Sequence, residues 1–198
     1  CIVVGSSFPA TSMQGLIDYA KANPGKVSYA TSGVGTGNHL SGELINLLAG
    51  IDMTHVPFKT GAQALTSVVG GQLPVAFAIL ATATPLLKAG KLRVLAVTNT
   101  ERYRGLPDVP AVREVLRGFQ TPPNWFGFFT ASGVSPAVIA RLHYEIVKIV
   151  TPPDVRAKLD EIGFTVVAGT PEEFSARIRR DMEVVAKVVK AAGIPPTD

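Results

Sequence analysis

Val27-Ser28-Tyr29-Ala30-Thr31-Ser32-Gly33-Val34-Gly35-Thr36-Gly37-Asn38-His39-Leu40 is the stretch whose reading decides the fold class. It opens as a strand over Val27–Ala30. It passes through hydroxyl residues with glycines at alternate positions 33, 35 and 37. It then enters a helix whose apolar face is Leu40, Leu44, Leu47 and Leu48. A strand feeding a helix through a short Gly-rich turn is the building unit of a wound α/β sheet. Glycine there permits positive φ and close approach of the backbone to a ligand. The helix N-terminus adds unpaired N–H donors and a partial positive charge. Thr31, Ser32, Thr36 and Asn38 add neutral hydroxyl and amide groups, so the stretch can form an anion-binding nest without a formal cation. The same glycines would also serve a tight turn that binds nothing.

The pattern continues on both sides. Upstream, Cys1–Val4 reads as a short strand. Ser12 caps a helix to Asn23 with Met13, Leu16, Ile17 and Ala20 on one face, and Pro24-Gly25 stops it. Downstream, Gly50 ends the second helix and Met53–Phe58 is a strand. Gly61–Val69 is a helix with Leu65, Val68 and Val69 inward. Leu73–Leu80 is a strand apolar on both faces, Pro85–Ala89 a helical turn, and Leu92–Thr98 a strand. The first hundred residues thus alternate strand and helix, with helices expected on both sheet faces.

After Thr98 the organisation changes. Thr100–Pro123 is a polar excursion with one short helix near Val112–Leu116, and Asn124–Thr130 reads as an aromatic strand. Ser135-Pro136 opens a helix to Val150 on a Val138, Leu142, Ile146, Ile149 stripe. A second helix covers Pro153–Ile162, and Phe164–Ala168 reads as a strand. Thr170-Pro171-Glu172-Glu173 is a capping box for a helix to Ala192, with Phe174, Ile178, Met182, Val185 and Val189 on one face. Three apolar stripes need more sheet than two strands supply. The expectation is that another chain or a further part of the polypeptide covers them.

Composition narrows the function. The chain has 198 residues, 46% hydrophobic and 17% charged, enough to bury a core. Its apolar runs are too short for a membrane span. The net charge of +4 is not a basic patch. Residues 1–98 hold six Lys/Arg and three Asp/Glu, residues 99–198 thirteen and twelve, with both signs interleaved. No nucleic-acid partner is therefore expected. One cysteine, Cys1, excludes an internal disulfide and a Cys-based zinc site. It reads either as a lipidated first residue or, the favoured reading, as an ordinary buried Cys opening a strand. The absence of an initiator Met suggests a processed or shortened chain.

Catalytic patterns fail. No Lys follows Gly37, as a P-loop requires, and the spacing 33–35–37 is not Gly-x-Gly-x-x-Gly. No Gly-x-Ser-x-Gly elbow occurs. Only three carboxylates stand in the first 98 residues, none in the Gly-rich loop, so an acid/base pair or carboxylate metal site has no components. No catalytic residue, metal or cofactor is expected. His39, on the first helical turn, reads as a neutral donor or a packing residue, and His143 as a surface residue.

Several segments together carry a resemblance: Phe8-Pro9-Ala10, Asn23-Pro24-Gly25-Lys26, Tyr29 to Glu43, His55-Val56-Pro57-Phe58-Lys59-x-Gly61, Ala89 to Thr98, Leu106 to Pro110, Trp125-Phe126-Gly127 and Ala191 to Ile194. The chain resembles the extracytoplasmic solute receptors of bacterial tripartite tricarboxylate transporters, the Bug receptors. The resemblance implies an α/β, two-lobed type II periplasmic-binding-protein-like fold. Residues 5–123 would be a near-complete ligand-binding lobe. Residues 1–4 and 124–198 would be crossing strands and the helix-rich remainder of the other lobe, whose N-terminal third would precede Cys1. It implies a periplasmic receptor that captures a small organic carboxylate and hands it to the membrane components of a transporter. Carried over, Thr31, Ser32, Gly33, Gly35, Thr36, Asn38 and His39 form the grip, while Lys59 and Gly61 border the cleft. Ala78 stands where relatives often carry Asp or Asn, which favours plain carboxylates over amino acids. Phe58 and Thr60 are milder departures. The alternatives are the effector domain of a transcriptional regulator of similar architecture and an α/β enzyme.

Overall fold

The computed structural model describes residues 1–120, 122 and 124–194. Thr121 and Pro123, at the end of the expected excursion, lie outside the described residues.

Five strands form one mixed sheet: β1 (Ile2–Gly5), β2 (Val27–Thr31), β3 (Met53–Pro57), β4 (Val75–Phe77) and β5 (Leu92–Ala96), ordered β3-β2-β4-β1-β5. Alternate residues feed two cores. Ile2, Val4, Tyr29, Val75 and Phe77 point to one face, covered by α1 (Met13–Ala22), α2 (Gly37–Ala49), α5 (Val112–Val115) and the end of α8 (Pro171–Ala192). Val3, Ala30, Ala76 and Ala78 point to the other face, covered by α3 (Gly61–Val69) and α4 (Leu80–Lys88). The expected helices on both faces are present.

Local signals place the helix ends well. Ser12 Oγ accepts from the Gly15 N–H at 3.0 Å, and the face it opens (Met13, Leu16, Ile17, Ala20) is buried. Thr36 caps α2, Gly50 closes it in the left-handed conformation, and Thr170 with Glu173 completes the capping box of α8. Asn46, near the end of α2, acts as a surrogate strand for the buried Met53. Its amide donates to the Met53 carbonyl at 2.9 Å, and its carbonyl accepts the Met53 N–H at 3.1 Å. Asn46→Ala leaves both backbone groups without that partner. It is expected to cost about 1–3 kcal/mol, read as a lower urea midpoint at unchanged slope.

The structure differs from the sequence reading in several places. The β1 strand lies inside the sheet, between β4 and β5, and runs antiparallel to both, Val3 facing Ala76 on one side and Val94 on the other. A strand buried on both faces shows the same apolar run in either direction, so periodicity carries no information on its sense. The strand expected over Leu73–Leu80 is shorter, and α4 starts at Leu80 with Pro85 inside it, because burial of Ala83 against the sheet extends the helix upstream. On α2 the inward residues are Leu40, Leu44 and Ile45; Leu47 is 52% exposed.

Asn124–Thr130 and Phe164–Ala168, expected as strands, belong to no strand of the sheet, and Ala168 takes a positive φ of 50°. A strand needs a ladder partner, and among the described residues neither segment has one. Aromatic rings join them to their neighbours instead. Trp125 meets Phe174 edge-on at 4.8 Å, and Phe126 meets Phe164 at 5.3 Å. The helices α6 (Pro136–Val150), α7 (Pro153–Glu161) and the first half of α8 keep much of their apolar stripes exposed, Val138, Leu142, Ile149 and Met182 among them. His143, read as a surface residue, is half-buried, with Nε2 3.0 Å from the Gly169 carbonyl.

Candidate functional site

The loop between β2 and α2 is tied down by its own side chains. Thr31 is fully buried. Its hydroxyl accepts the Gly33 N–H at 3.1 Å, lies 3.2 Å from the Gly33 carbonyl, and meets His55 Nε2 at 2.7 Å. The Thr36 hydroxyl donates to the Gly33 carbonyl at 2.8 Å and accepts the His39 N–H at 3.3 Å. His39 Nδ1 accepts the Gly35 N–H at 3.1 Å. Gly33 and Gly35 take φ of +135° and +75°, which side chains with a Cβ rarely adopt. Thr31, Thr36 and His39 are therefore scaffold. Of the hydroxyls expected to aim at an anion, those of Thr31 and Thr36 make their bonds within the loop itself.

What remains open faces a cleft of about 400 Å³, lined by Ser32, Thr36, Gly37, Asn38, Ile79, Asn124, Trp125 and Phe126. The N–H groups of Gly37 and Asn38 stand at the N-terminus of the 13-residue α2 with no helical acceptor. Asn38 is only 6% exposed, and its side-chain amide makes no hydrogen bond to another described residue. Among the described residues, no Lys, Arg, Asp or Glu lines this cleft. The arrangement offers backbone donors, one amide, one serine hydroxyl and a helix dipole beside apolar walls. It can hold an anion, and it has no nucleophile–base pair.

The site residues read from the sequence separate into several places. Ser32, Thr36 and Asn38 line the cleft; Thr31, Gly33, Gly35 and His39 lie in or behind its loop. Lys59 lines a different depression, with Pro57, Phe58, Gln63, Thr66, Ser67 and Gln72. Gly61 starts α3 behind its cap Thr60. Ala78 is buried in the sheet, where its N–H donates to the Cys1 carbonyl at 2.9 Å. Its neighbour Ile79 lines the cleft instead, because β4 ends at Phe77 and the chain turns there. Trp125 and Phe126 were legible as an unusual aromatic run. Their role as a wall was not, since it depends on Trp125 Nε1 donating to Asp181 at 2.8 Å, 56 residues away.

Behind the loop, the His39 and His55 rings stack at 3.9 Å between centroids. Burial holds both below the ordinary histidine range. His55, with the second imidazole beside it, is pushed down to about 4, while Glu43 partly opposes the shift at His39. The Tyr29 hydroxyl donates to Glu43, and burial with this bond pushes the phenol upward.

The family model described as the tripartite tricarboxylate transporter family receptor, TctC, matches residues 1–194. The chain belongs to this receptor family. Its members are solute receptors and not enzymes, and the family gives no support to the regulatory alternative. The receptor is 31% identical over 176 residues to the UPF0065 protein of the tcbD–tcbE intergenic region of Pseudomonas sp. strain P51, covering 88% of this chain and 52% of that protein. It superposes on R. palustris Rpa4515 with adipate at a TM-score of 0.93 and 31% identity, covering 99% of this chain and 66% of that one. It also superposes on periplasmic binding protein BugD at 0.87 and 26%, over 99% and 66%. The receptor thus has the α/β fold of Bug-type periplasmic binding proteins, and spans about half the length of the Pseudomonas relative. No helix among the described residues is long and apolar enough to cross a membrane.

Proposed function

We propose that the receptor captures a small organic carboxylate at the N-terminus of α2 and delivers it to the membrane components of a tripartite tricarboxylate-type transporter from an extracytoplasmic position. The observation that carries this reading is the pair of N–H groups at Gly37 and Asn38 left without helical acceptors, with the Asn38 side-chain amide lining the cleft beside them. A carboxylate supplies the acceptors these donors lack, and the helix dipole favours its charge. Ser32 adds a hydroxyl. Thr31, Gly33, Gly35, Thr36 and His39 hold the loop in shape, and Lys59, Gly61 and Ala78 act at most on the ligand's surroundings. The adipate held by the R. palustris neighbour supports a carboxylate ligand here. Residues 5–123 serve in this reading as the ligand-binding lobe, closing against a second lobe.

Titration calorimetry on the full-length protein tests this. Adipate is expected to bind with a measurable heat, and adipamide, of the same length but uncharged, at least about 100-fold more weakly, since charge-assisted hydrogen bonds are the strong ones. Equal binding of the two, or no heat with any small mono-, di- or tricarboxylate, sinks the reading.

A further inference from the structure

The stacked histidines lie outside the cleft lining, yet each touches the loop that forms it. His39 Nδ1 accepts the Gly35 N–H at 3.1 Å, and His55 Nε2 meets the Thr31 hydroxyl at 2.7 Å. Thr31 in turn holds Gly33 through both of its backbone groups. The two glycines with positive φ in the loop are therefore each fastened, directly or through one hydroxyl, to one imidazole.

We propose that His39 is a positioning residue of the anion loop, holding Gly35 through an unprotonated Nδ1 within its buried stack on His55, so that the loop keeps its binding shape only above the pH at which His39 takes up a proton. The inference rests on the carboxylate reading for its consequence, but its geometry is a property of the free protein.

The chemistry is asymmetric. A neutral imidazole carries one N–H and one acceptor nitrogen. The Gly35 bond requires Nδ1 to be the acceptor, which places the hydrogen of His39 on Nε2, facing Glu43 Oε1 at 3.7 Å. Protonating Nδ1 sets an N–H against the Gly35 N–H, and that bond cannot survive. His55 can gain a proton and still meet Thr31, but its charge would face His39 at 3.9 Å between ring centroids. Two like charges at that distance in a half-buried site repel strongly. The N-terminal turn of α2 disfavours a cation as well.

The groups facing the pair are few. Glu43, on α2, favours an imidazolium, but the Tyr29 hydroxyl of β2 already occupies its Oε1. The Tyr29 ring lies 5.0 Å from that of His55. The end of α8 joins the same core with Val185, Val188 and Val189, and among the described residues the only charges acting on the two rings are Glu43 on His39 and the His39 ring on His55. Burial outweighs Glu43, and both rings stay neutral below the usual histidine range.

Both histidines titrate below their ordinary value of 6.5, so the loop is intact above 6.5 and loses its Gly35 anchor only as pH falls below that value and His39 takes up its proton. A ligand's own negative charge pulls the other way. Tighter capture at low pH would mean that imidazolium contributes charge to the site.

The test uses the full-length, 15N-labelled protein without ligand, between pH 7.5 and 4.5. The Gly35 amide resonance is expected to move along the same curve as the His39 ring nitrogens. In His39→Phe, which keeps a stacked ring and removes the acceptor, Gly35 amide exchange at pH 7.5 should speed up about tenfold. His39→Asn, whose carbonyl can accept the same N–H, should restore protection and abolish the pH response. Adipate affinity in the wild type should fall relative to His39→Asn as pH drops, the variant correcting for protonation of adipate itself. A Gly35 amide indifferent to pH and to His39→Phe overturns the proposal whether or not adipate binds, as does an affinity that rises at low pH relative to the Asn variant. Failure of adipate to bind at pH 7.5 with a normal Gly35 response would instead sink the carboxylate reading alone.

Discussion

Thr36→Asp is expected to abolish carboxylate capture while leaving the receptor folded. Thr36 caps α2 with its hydroxyl on the His39 N–H and also lines the cleft. Aspartate is at least as good a cap as threonine, and its charge suits a helix N-terminus. The same charge would stand beside the Gly37 and Asn38 donors where the ligand's charge must go. Like charges juxtaposed at a binding site cost several kcal/mol, so affinity for adipate should fall on the order of 100-fold or more. Thr36→Asn separates charge from scaffold. It caps as well, can donate to the Gly33 carbonyl as Thr36 does, and carries no charge. Calorimetry should find Asn within a few-fold of the wild type, with the two variants melting within a few degrees of each other. Equal affinity of Asp and Asn variants would place the anion elsewhere.

Gly42→Ala should produce the largest loss of stability from a single methyl group. A Cβ at Gly42 would lie 2.4 to 2.7 Å from three atoms of the Tyr29 ring and hydroxyl. That ring cannot move aside. It is fully buried, packed on Phe77 at 5.1 Å and His55 at 5.0 Å, and its hydroxyl is bonded to Glu43. Overpacking of this kind costs about 3 kcal/mol at the upper end of its usual range. For a chain of this size that lowers the melting temperature by about 6–12 °C. Gly61→Ala is the control, because a Cβ there meets nothing within 4 Å and the residue starts a helix. It should melt at or above the wild type. A Gly42→Ala protein as stable as Gly61→Ala would show that α2 can shift off β2. Because Tyr29 backs the histidine pair, the damaged variant should also bind adipate poorly after refolding at low temperature.

How much of this was legible can be argued from particular residues. Ser12, Gly50 and the Thr170–Glu173 box mark helix ends from the sequence because a cap is a bond between groups only a few residues apart. The buried face of α1 follows from spacing alone. Leu47 shows the limit. It belongs to the apolar side of α2 by period, yet it is half exposed, because Ile45 and not Leu47 meets the sheet. The site shows the same division. Ser32, Thr36 and Asn38 were reached through the glycine spacing and the strand-to-helix turn, and all three line the cleft. Ile79 was missed by one position, because the end of β4 is set by its neighbours in the sheet. Asn124 carried no signal of its own.

The order of strands and helices up to Thr98, several of the helix ends, the two-faced α/β sheet and the Gly-rich turn from β2 into α2 could be read from the sequence alone. All of these are written in interactions that span a few residues. The direction of β1, the bond from the Thr31 hydroxyl to His55, the stacking of His39 on His55 and the Trp125–Phe126 wall appear only in the folded chain. Each of these turns on which partner a group finds. For Thr31 the partner is 24 residues away, for Trp125 56, and for the Ala78 N–H it is the carbonyl of Cys1. Partners at such separations are set by packing the whole sheet, and no local pattern records them.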